Sequence, residues 1–160
     1  MDPHTHFLLP FALGLILYKL GLISGELALL AGIIGVLIDL DHYVEHILHA
    51  KTNRFSLRAA WNNSIKLHRF NQRSFIHYGQ GALVLTLLFM VMAYFNWRLA
   101  LVLAVGYYSH LLLDLPFHPG NKKAFRWKIG PYYLKETHLE LVIDLVLMVV
   151  IIIWLWILFG

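Results

Sequence analysis

Apolar residues run through this chain in blocks of membrane-span length, interrupted by two short turns and two longer polar connections. A transmembrane helix needs about 20 predominantly apolar residues, within a range of roughly 17–25. Five segments fit, at about 6–23, 26–48, 76–95, 98–115 and 139–159. Gly21, Ser24 and Gly25 make the first turn, and Asn96-Trp97 makes a second tight one. Pro116 and Pro119-Gly120 end the fourth helix, because proline cannot donate to the preceding turn and restricts its neighbour. The polar connections cover about 51–75 and 119–138. The first predicts a short amphipathic helix around 56–67, with Leu57, Ala60, Trp61, Ser64 and Ile65 on one side. The second interleaves Phe125, Trp127, Tyr132 and Tyr133 with lysine and arginine, a mixture suited to a membrane interface. The pattern predicts an all-α polytopic membrane protein, one domain over residues 1–160, built as a bundle of about five transmembrane helices. The chain carries no internal repeat, which argues against an inverted-repeat transporter.

Composition sharpens this picture. The chain is 59% hydrophobic and 14% charged, with a mean hydropathy of +0.66. Soluble domains carry about a quarter charged residues. There is no cysteine, so disulfides, thiolate zinc sites, iron–sulfur clusters and cysteine nucleophiles are excluded together. The opening Met-Asp-Pro-His-Thr-His lacks the basic n-region of a secretory signal, so none is expected. The net charge of +4 does not point to nucleic acid, because the basic residues flank spans and there determine orientation. With the N-terminus inside, Lys51, Arg54, Arg58, Lys66, Arg69, Arg73, Lys122, Lys123, Arg126, Lys128 and Lys135 are cytoplasmic, and only Lys19 and Arg98 lie outside, eleven against two. The expected topology is N-in, C-out, in the cell (inner or plasma) membrane.

That topology also segregates the chemistry. All ten histidines and eight of the nine acids fall on the cytoplasmic side, Glu26 being the exception. Ionisable groups at membrane depth cost about 2.5–3.5 kcal/mol each by insertion scales and default to a functional reading. The densest stretch follows the oily run 27–38: Asp39, Asp41, His42, Glu45, His46 and His49 occupy eleven residues. His110 and Asp114 sit four apart on one helical face, placed to share a metal, or for the aspartate to orient the imidazole. The plainer reading of that pair is a helix-end hydrogen bond. At about 100° per residue Asp39 shares a stripe with His42 and His46, whereas Asp41 shares one with Glu45 and His49. A straight helix cannot aim both aspartates at one ion. A break near Leu40, two bound ions, or one aspartate acting through a ligand would each reconcile them, and the spread of donors favours two ions. His6 and His77 read equally well as ligands or as interfacial residues, and His4, His49, His68 and His118 read as interfacial. Asp144, a turn and a half into the last helix, needs a partner, and Glu140 lies one turn earlier on its face. Nitrogen and carboxylate donors without thiolates imply zinc, with manganese or iron as alternatives, rather than copper(I).

The order Thr5-His6, Ile38-Asp-Leu-Asp-His42, Arg73…His77 and Gly106-Tyr-Tyr-Ser-His-Leu-Leu-Leu-Asp114 resembles the YdjM-type family of inner-membrane proteins, over roughly residues 1–120. That family is described as membrane-bound metal-dependent hydrolases. The resemblance implies a distant relation to the zinc-dependent phospholipase C and P1 nuclease group, whose helical bundles hold a multi-zinc phosphodiesterase site. It carries the metal-ligand role onto His6, Asp39, Asp41, His42, His77, His110 and Asp114, and more weakly onto Glu140. Two positions depart from the family pattern: Ile38 stands where proline is usual, and Gln72 where the first histidine of His-Arg-x-x-Thr-His-Ser is usual.

The function expected from these residues is hydrolysis of a phosphoester or related bond at the cytoplasmic membrane face. The substrate would be a membrane lipid or lipid-linked molecule, with Asp41 as base and Arg73 as charge clamp. Oligomerisation is compatible with this, and nucleic acid is not an expected partner. Divalent-metal transport or sensing would use the same ligands, but helices three and four offer almost nothing polar in their outer halves. A haem-bearing cytochrome needs two histidines in apolar surroundings, whereas these are crowded by carboxylates. A scaffold with a vestigial metal site is the remaining alternative, prompted by Gln72.

Overall fold

Small side chains determine how closely the helices of this chain approach. A computed structural model describes residues 3–62, 75–77, 79–114, 127–129, 132–134 and 136–159. They form α1 (Pro3–Lys19), α2 (Gly25–Leu37), α3 (Leu40–His49), α4 (Leu57–Trp61), a 3-10 turn (Phe75–His77), α5 (Gly79–Asp114), the strands β1 (Trp127–Ile129) and β2 (Tyr132–Leu134), and α6 (Glu136–Phe159). The class is all-α. The two strands form one antiparallel hairpin, pairing Trp127 with Leu134 and Ile129 with Tyr132, inside the connection read from the sequence as an aromatic, basic interface segment. Helix α1 packs on α2, α5 and α6, and α2 packs on α5. At Gly14 a Cβ would lie 2.8 Å from Ala28 Cα, and at Gly35 a Cβ would lie 2.1 Å from the His6 carbonyl oxygen. Close backbone contact of this kind is how helices associate in lipid, where apolar side chains gain little by leaving one oily medium for another.

Three segments are long and apolar enough to cross a membrane: Gly25–His49, Gly79–Asp114 and Leu139–Leu158. The 17 residues of α1 reach about 26 Å at 1.5 Å per residue, slightly under a hydrocarbon core of roughly 30 Å. The 36 residues of α5 do not form one rod. Asn96 leaves helical geometry (φ −150°, ψ 86°), and its side chain accepts a hydrogen bond from Leu99 N, capping the helix that follows. The Thr86 and Tyr108 hydroxyls are hydrogen-bonded, and the Phe89 and Tyr107 rings are 6.0 Å apart. A straight helix would separate residues 86 and 108 by about 33 Å. The arms 79–95 and 97–114 therefore lie antiparallel, folded back at the turn expected for Asn96-Trp97.

The chain also breaks between α2 and α3. Asp39 N donates to Val36 O, Asp41 N to Ile38 O and His42 N to Asp39 O, the i→i−3 spacing of a 3-10 turn. Of the three ways to reconcile Asp39 with Asp41, the structure contains the break near Leu40.

Apolar and polar residues sort to opposite ends of these helices. Ala12, Leu15, Ala28, Ala31, Val102 and Ile151 belong to the buried apolar core. At the other end of the same helices are buried Thr5, His6, His110, Glu140 and Asp144.

Candidate metal centre

Seven polar side chains converge at that polar end. His6 comes from the first turns of α1, Asp39 from the break, and Asp41 and His42 from α3. His77 closes the 3-10 turn, and His110 and Asp114 end α5. His6 Nε2 lies 3.4 Å from Asp114 Oδ1 and 4.0 Å from Asp39 Oδ2. His110 Nε2 lies 3.6 Å from Asp39 Oδ1 and 3.9 Å from Asp114 Oδ2. His77 Nε2 lies 3.8 Å from Asp114 Oδ2. His42 faces Asp39 at 3.8 Å and Asp41 at 3.9 Å. The rings of His6 and His110 stack with centroids 4.0 Å apart. Three groups of donors close enough to share an ion result: His6–His110–Asp114, Asp39–His77–His110 and Asp41–His42–His77.

The helix break equips this cluster in two ways. It rotates Asp41 relative to Asp39, so that both reach histidines of the same assembly. It also frees a carbonyl. In an unbroken helix Gly35 O would accept from Asp39 N, but Asp39 N is turned to Val36 O, and His110 Nδ1 takes the Gly35 carbonyl at 2.8 Å. A carbonyl only accepts, so His110 carries its proton on Nδ1 and presents the Nε2 lone pair to the cluster. Asp41 Oδ2 lies 2.8 Å from His77 Nδ1, an ion-pair contact without hydrogen-bond alignment, since that buried Nδ1 has no hydrogen-bond partner among the described residues. The two Nε2 atoms face each other at 3.0 Å.

Burial gives the assembly a floor and a rim. The side chains of His77 and His110 are 0% exposed and that of His6 1%, while Asp39 keeps 23% and His42 34%. Asp39 and His42 are the most exposed members of the cluster.

A family model described as YdjM inner membrane protein matches the chain over residues 1–160. The chain belongs to that family. The match runs through residues 121–160 as well, so the family relation extends beyond the part whose motifs are recognisable by eye. YdjM membership and the three apolar helices together make this an integral, multi-pass membrane protein. No curated protein and no solved structure matches it significantly.

The remaining candidates lie elsewhere. Glu140 is buried but belongs to none of the three donor groups; it accepts a hydrogen bond from Thr5 Oγ1 at 3.3 Å, one residue before His6. Arg73, Gln72, His68 and His118 lie outside the described residues. His4 pairs with Asp144 at 2.7 Å, which supplies the partner that buried carboxylate needed. His46, on the stripe of Asp39 and His42, is 1% exposed and bonded to Asn53 O at 3.2 Å. The loop it holds is also tied by Tyr43 to Phe55 O and by Arg54 to Ala50 O. Spacing along α3 could not reveal this, because the acceptors are backbone atoms of a following loop.

Proposed function

We propose that this chain is a membrane-bound metal-dependent hydrolase whose centre is the seven-residue cluster. Its substrate is a phosphoester or related bond carried by a lipid or lipid-linked molecule at the cytoplasmic face. The observation that carries the metal reading is the convergence of four imidazoles and three carboxylates into three donor groups, with the buried His77 and His110 Nε2 atoms 3.0 Å apart and His110 Nδ1 held by the Gly35 carbonyl. Two neutral imidazoles at that distance either share a proton or oppose lone pair to lone pair. A divalent cation makes the same arrangement favourable, since two nitrogens of a tetrahedral zinc site lie roughly 3.3 Å apart. The donor set of imidazoles and carboxylates fits zinc, manganese or iron. His6–His110–Asp114 and Asp41–His42–His77 share no residue, which supports room for more than one ion.

A divalent ion held there supplies Lewis acidity and an acidified water, the chemistry that phosphoester hydrolysis needs. The chain positions everything else. The Gly35 carbonyl sets the His110 tautomer, and the Asp41 carboxylate stands beside His77 Nδ1. Asp39 and His42 line the accessible rim, where the scissile group enters. Asp41, beside His42 at that rim, is the proton acceptor in this proposal, and Arg73 is the clamp on the anionic substrate.

The proposal includes five crossings with both α1 and α6 running outward from the cytoplasm. Support comes from the antiparallel arms of α5 and from the parallel course of α1 and α6, whose first turns meet at His4–Asp144 and Thr5–Glu140. The eleven-to-two bias of basic residues supports the cytoplasmic side for the cluster.

Elemental analysis of gently purified protein, run beside His110→Ala and Asp39→Ala, tests the centre. Wild type is expected to carry stoichiometric metal and to hydrolyse bis(p-nitrophenyl) phosphate in micelles, and each variant to lose most of both. Metal-free wild type overturns the reading and leaves a proton shared between His77 and His110 as the account of their contact. Metal without hydrolysis, together with uptake into proteoliposomes that fails in Asp114→Ala, would make the chain a transporter.

A further inference from the structure

A second polar feature lies between α1 and α6, outside the seven-residue cluster. Between these helices runs an open groove of about 560 Å³, walled by Phe7 and Leu8 of α1, Val36 of α2, and Leu141 and Met148 of α6. Its volume is within the usual range of ligand sites, about 300–1,000 Å³, and its walls are almost wholly apolar. His4 and Asp144 are the polar residues lining it. Asp144 is within the apolar segment Leu139–Leu158 and 5% exposed. His4 Nε2 engages its Oδ2 at 2.7 Å, while Oδ1 has no hydrogen-bond partner among the described residues. A buried carboxylate oxygen without a donor is expensive anywhere and more so at membrane depth.

We propose that this groove binds a diacyl lipid bearing a primary ammonium group, with an acyl chain along Phe7, Val36 and Met148 and the ammonium on Asp144 Oδ1. The apolar walls face the hydrocarbon of the bilayer, so the medium around the groove is itself lipid. Asp144 adds selectivity. Charge-assisted hydrogen bonds are roughly twice as strong as neutral ones, so the donor that best complements a carboxylate in an apolar wall is a cation. The anchor also lies at the head-group end of the bundle, because Asp144 meets the first turn of α1 and His6 stands half a turn further on. This inference rests on the chain being integral to the membrane and not on the hydrolase reading.

Native mass spectrometry of the full chain in detergent tests it, with dioleoyl phosphatidylethanolamine, phosphatidylglycerol and phosphatidylcholine as probes. The ethanolamine head group offers an ammonium donor, the glycerol head group only hydroxyls, and the choline head group no N–H at all. Wild type is expected to retain the ethanolamine lipid about tenfold more tightly than the choline lipid. Asp144→Asn should abolish that preference while still binding lipid. Met148→Trp should fill the groove and weaken all three lipids, with metal content and melting temperature unchanged as evidence that the fold is intact. Equal retention of ethanolamine and choline lipids by wild type overturns the proposal, as does a preference that survives in Asp144→Asn. Retention of the glycerol lipid at least as tight as that of the ethanolamine lipid overturns the ammonium assignment in favour of a hydroxyl donor.

Discussion

At the scale of single residues, the cluster is held by partners that fix tautomers rather than by the donors alone. His110 is the clearest case, with Nδ1 on the Gly35 carbonyl; at His77 the Asp41 Oδ2 sits 2.8 Å from Nδ1 without hydrogen-bond alignment, and its negative charge favours a proton on that nitrogen. Asp41→Asn keeps the shape and removes that negative charge. It is expected to lower metal affinity about 10–100-fold, the usual cost of losing a carboxylate behind a ligating histidine. Competition with a chelator against the bound metal would measure this, and wild-type affinity in Asp41→Asn would deny Asp41 its orienting part. The participants were legible in the sequence because ionisable residues at the ends of oily helices are rare and therefore conspicuous. Their division of labour was not. Whether Asp41 faces an ion or a histidine depends on a three-dimensional neighbour 36 positions away, and no periodicity along α3 reports it. His46 shows the same limit from the other direction, since its acceptor is a loop carbonyl.

At the scale of elements, the α2–α3 break and the packing of α1 on α2 form one device. Gly35 contributes its carbonyl to His110 and lets the backbone of α1 approach, since a Cβ there would stand 2.1 Å from His6 O and 2.7 Å from Pro10 Cγ. Backbone atoms cannot yield as a flexible side chain can, so Gly35→Ala must push α1 away from α2. The expected cost is about 1–3 kcal/mol of stability, the range for overpacking a tight contact. Because His6 and the His110 acceptor both move, bound metal should fall in parallel. Thermal melting in detergent together with elemental analysis reads both, and Gly35→Ala with wild-type melting and metal would show that α1 stands further off than described. The helical phase of Asp39 and Asp41 signalled that something unusual happens near Leu40, although no proline or glycine marks the break itself. The β1–β2 hairpin was less visible still: Lys128 opposite Tyr133 shows no alternation of apolar and polar positions strong enough to separate strands from an aromatic interfacial loop.

At the scale of the whole molecule, one end of the bundle is chemical and the other is packing. The helices that bury Ala12, Ala28 and Val102 at one end present His6, Asp39 and His110 at the other. This polarity matters only if the chemical end faces a definite compartment, and the asymmetry of basic residues predicts which one. The absence of cysteine makes the point measurable, because any single introduced thiol is the only one in the chain. Lys19 ends α1 and Trp97 begins the second arm of α5, while Thr52 follows α3, and all three are exposed. Lys19→Cys and Trp97→Cys are expected to react with a membrane-impermeant maleimide in intact cells, and Thr52→Cys only after lysis. The reverse pattern would turn the cluster outward and move its substrate to the other leaflet. Labelling of positions 52 and 97 from the same side would be worse for the proposal. Two of the proposed crossings would then be missing, and the antiparallel arms of α5 would be a re-entrant hairpin rather than two spans.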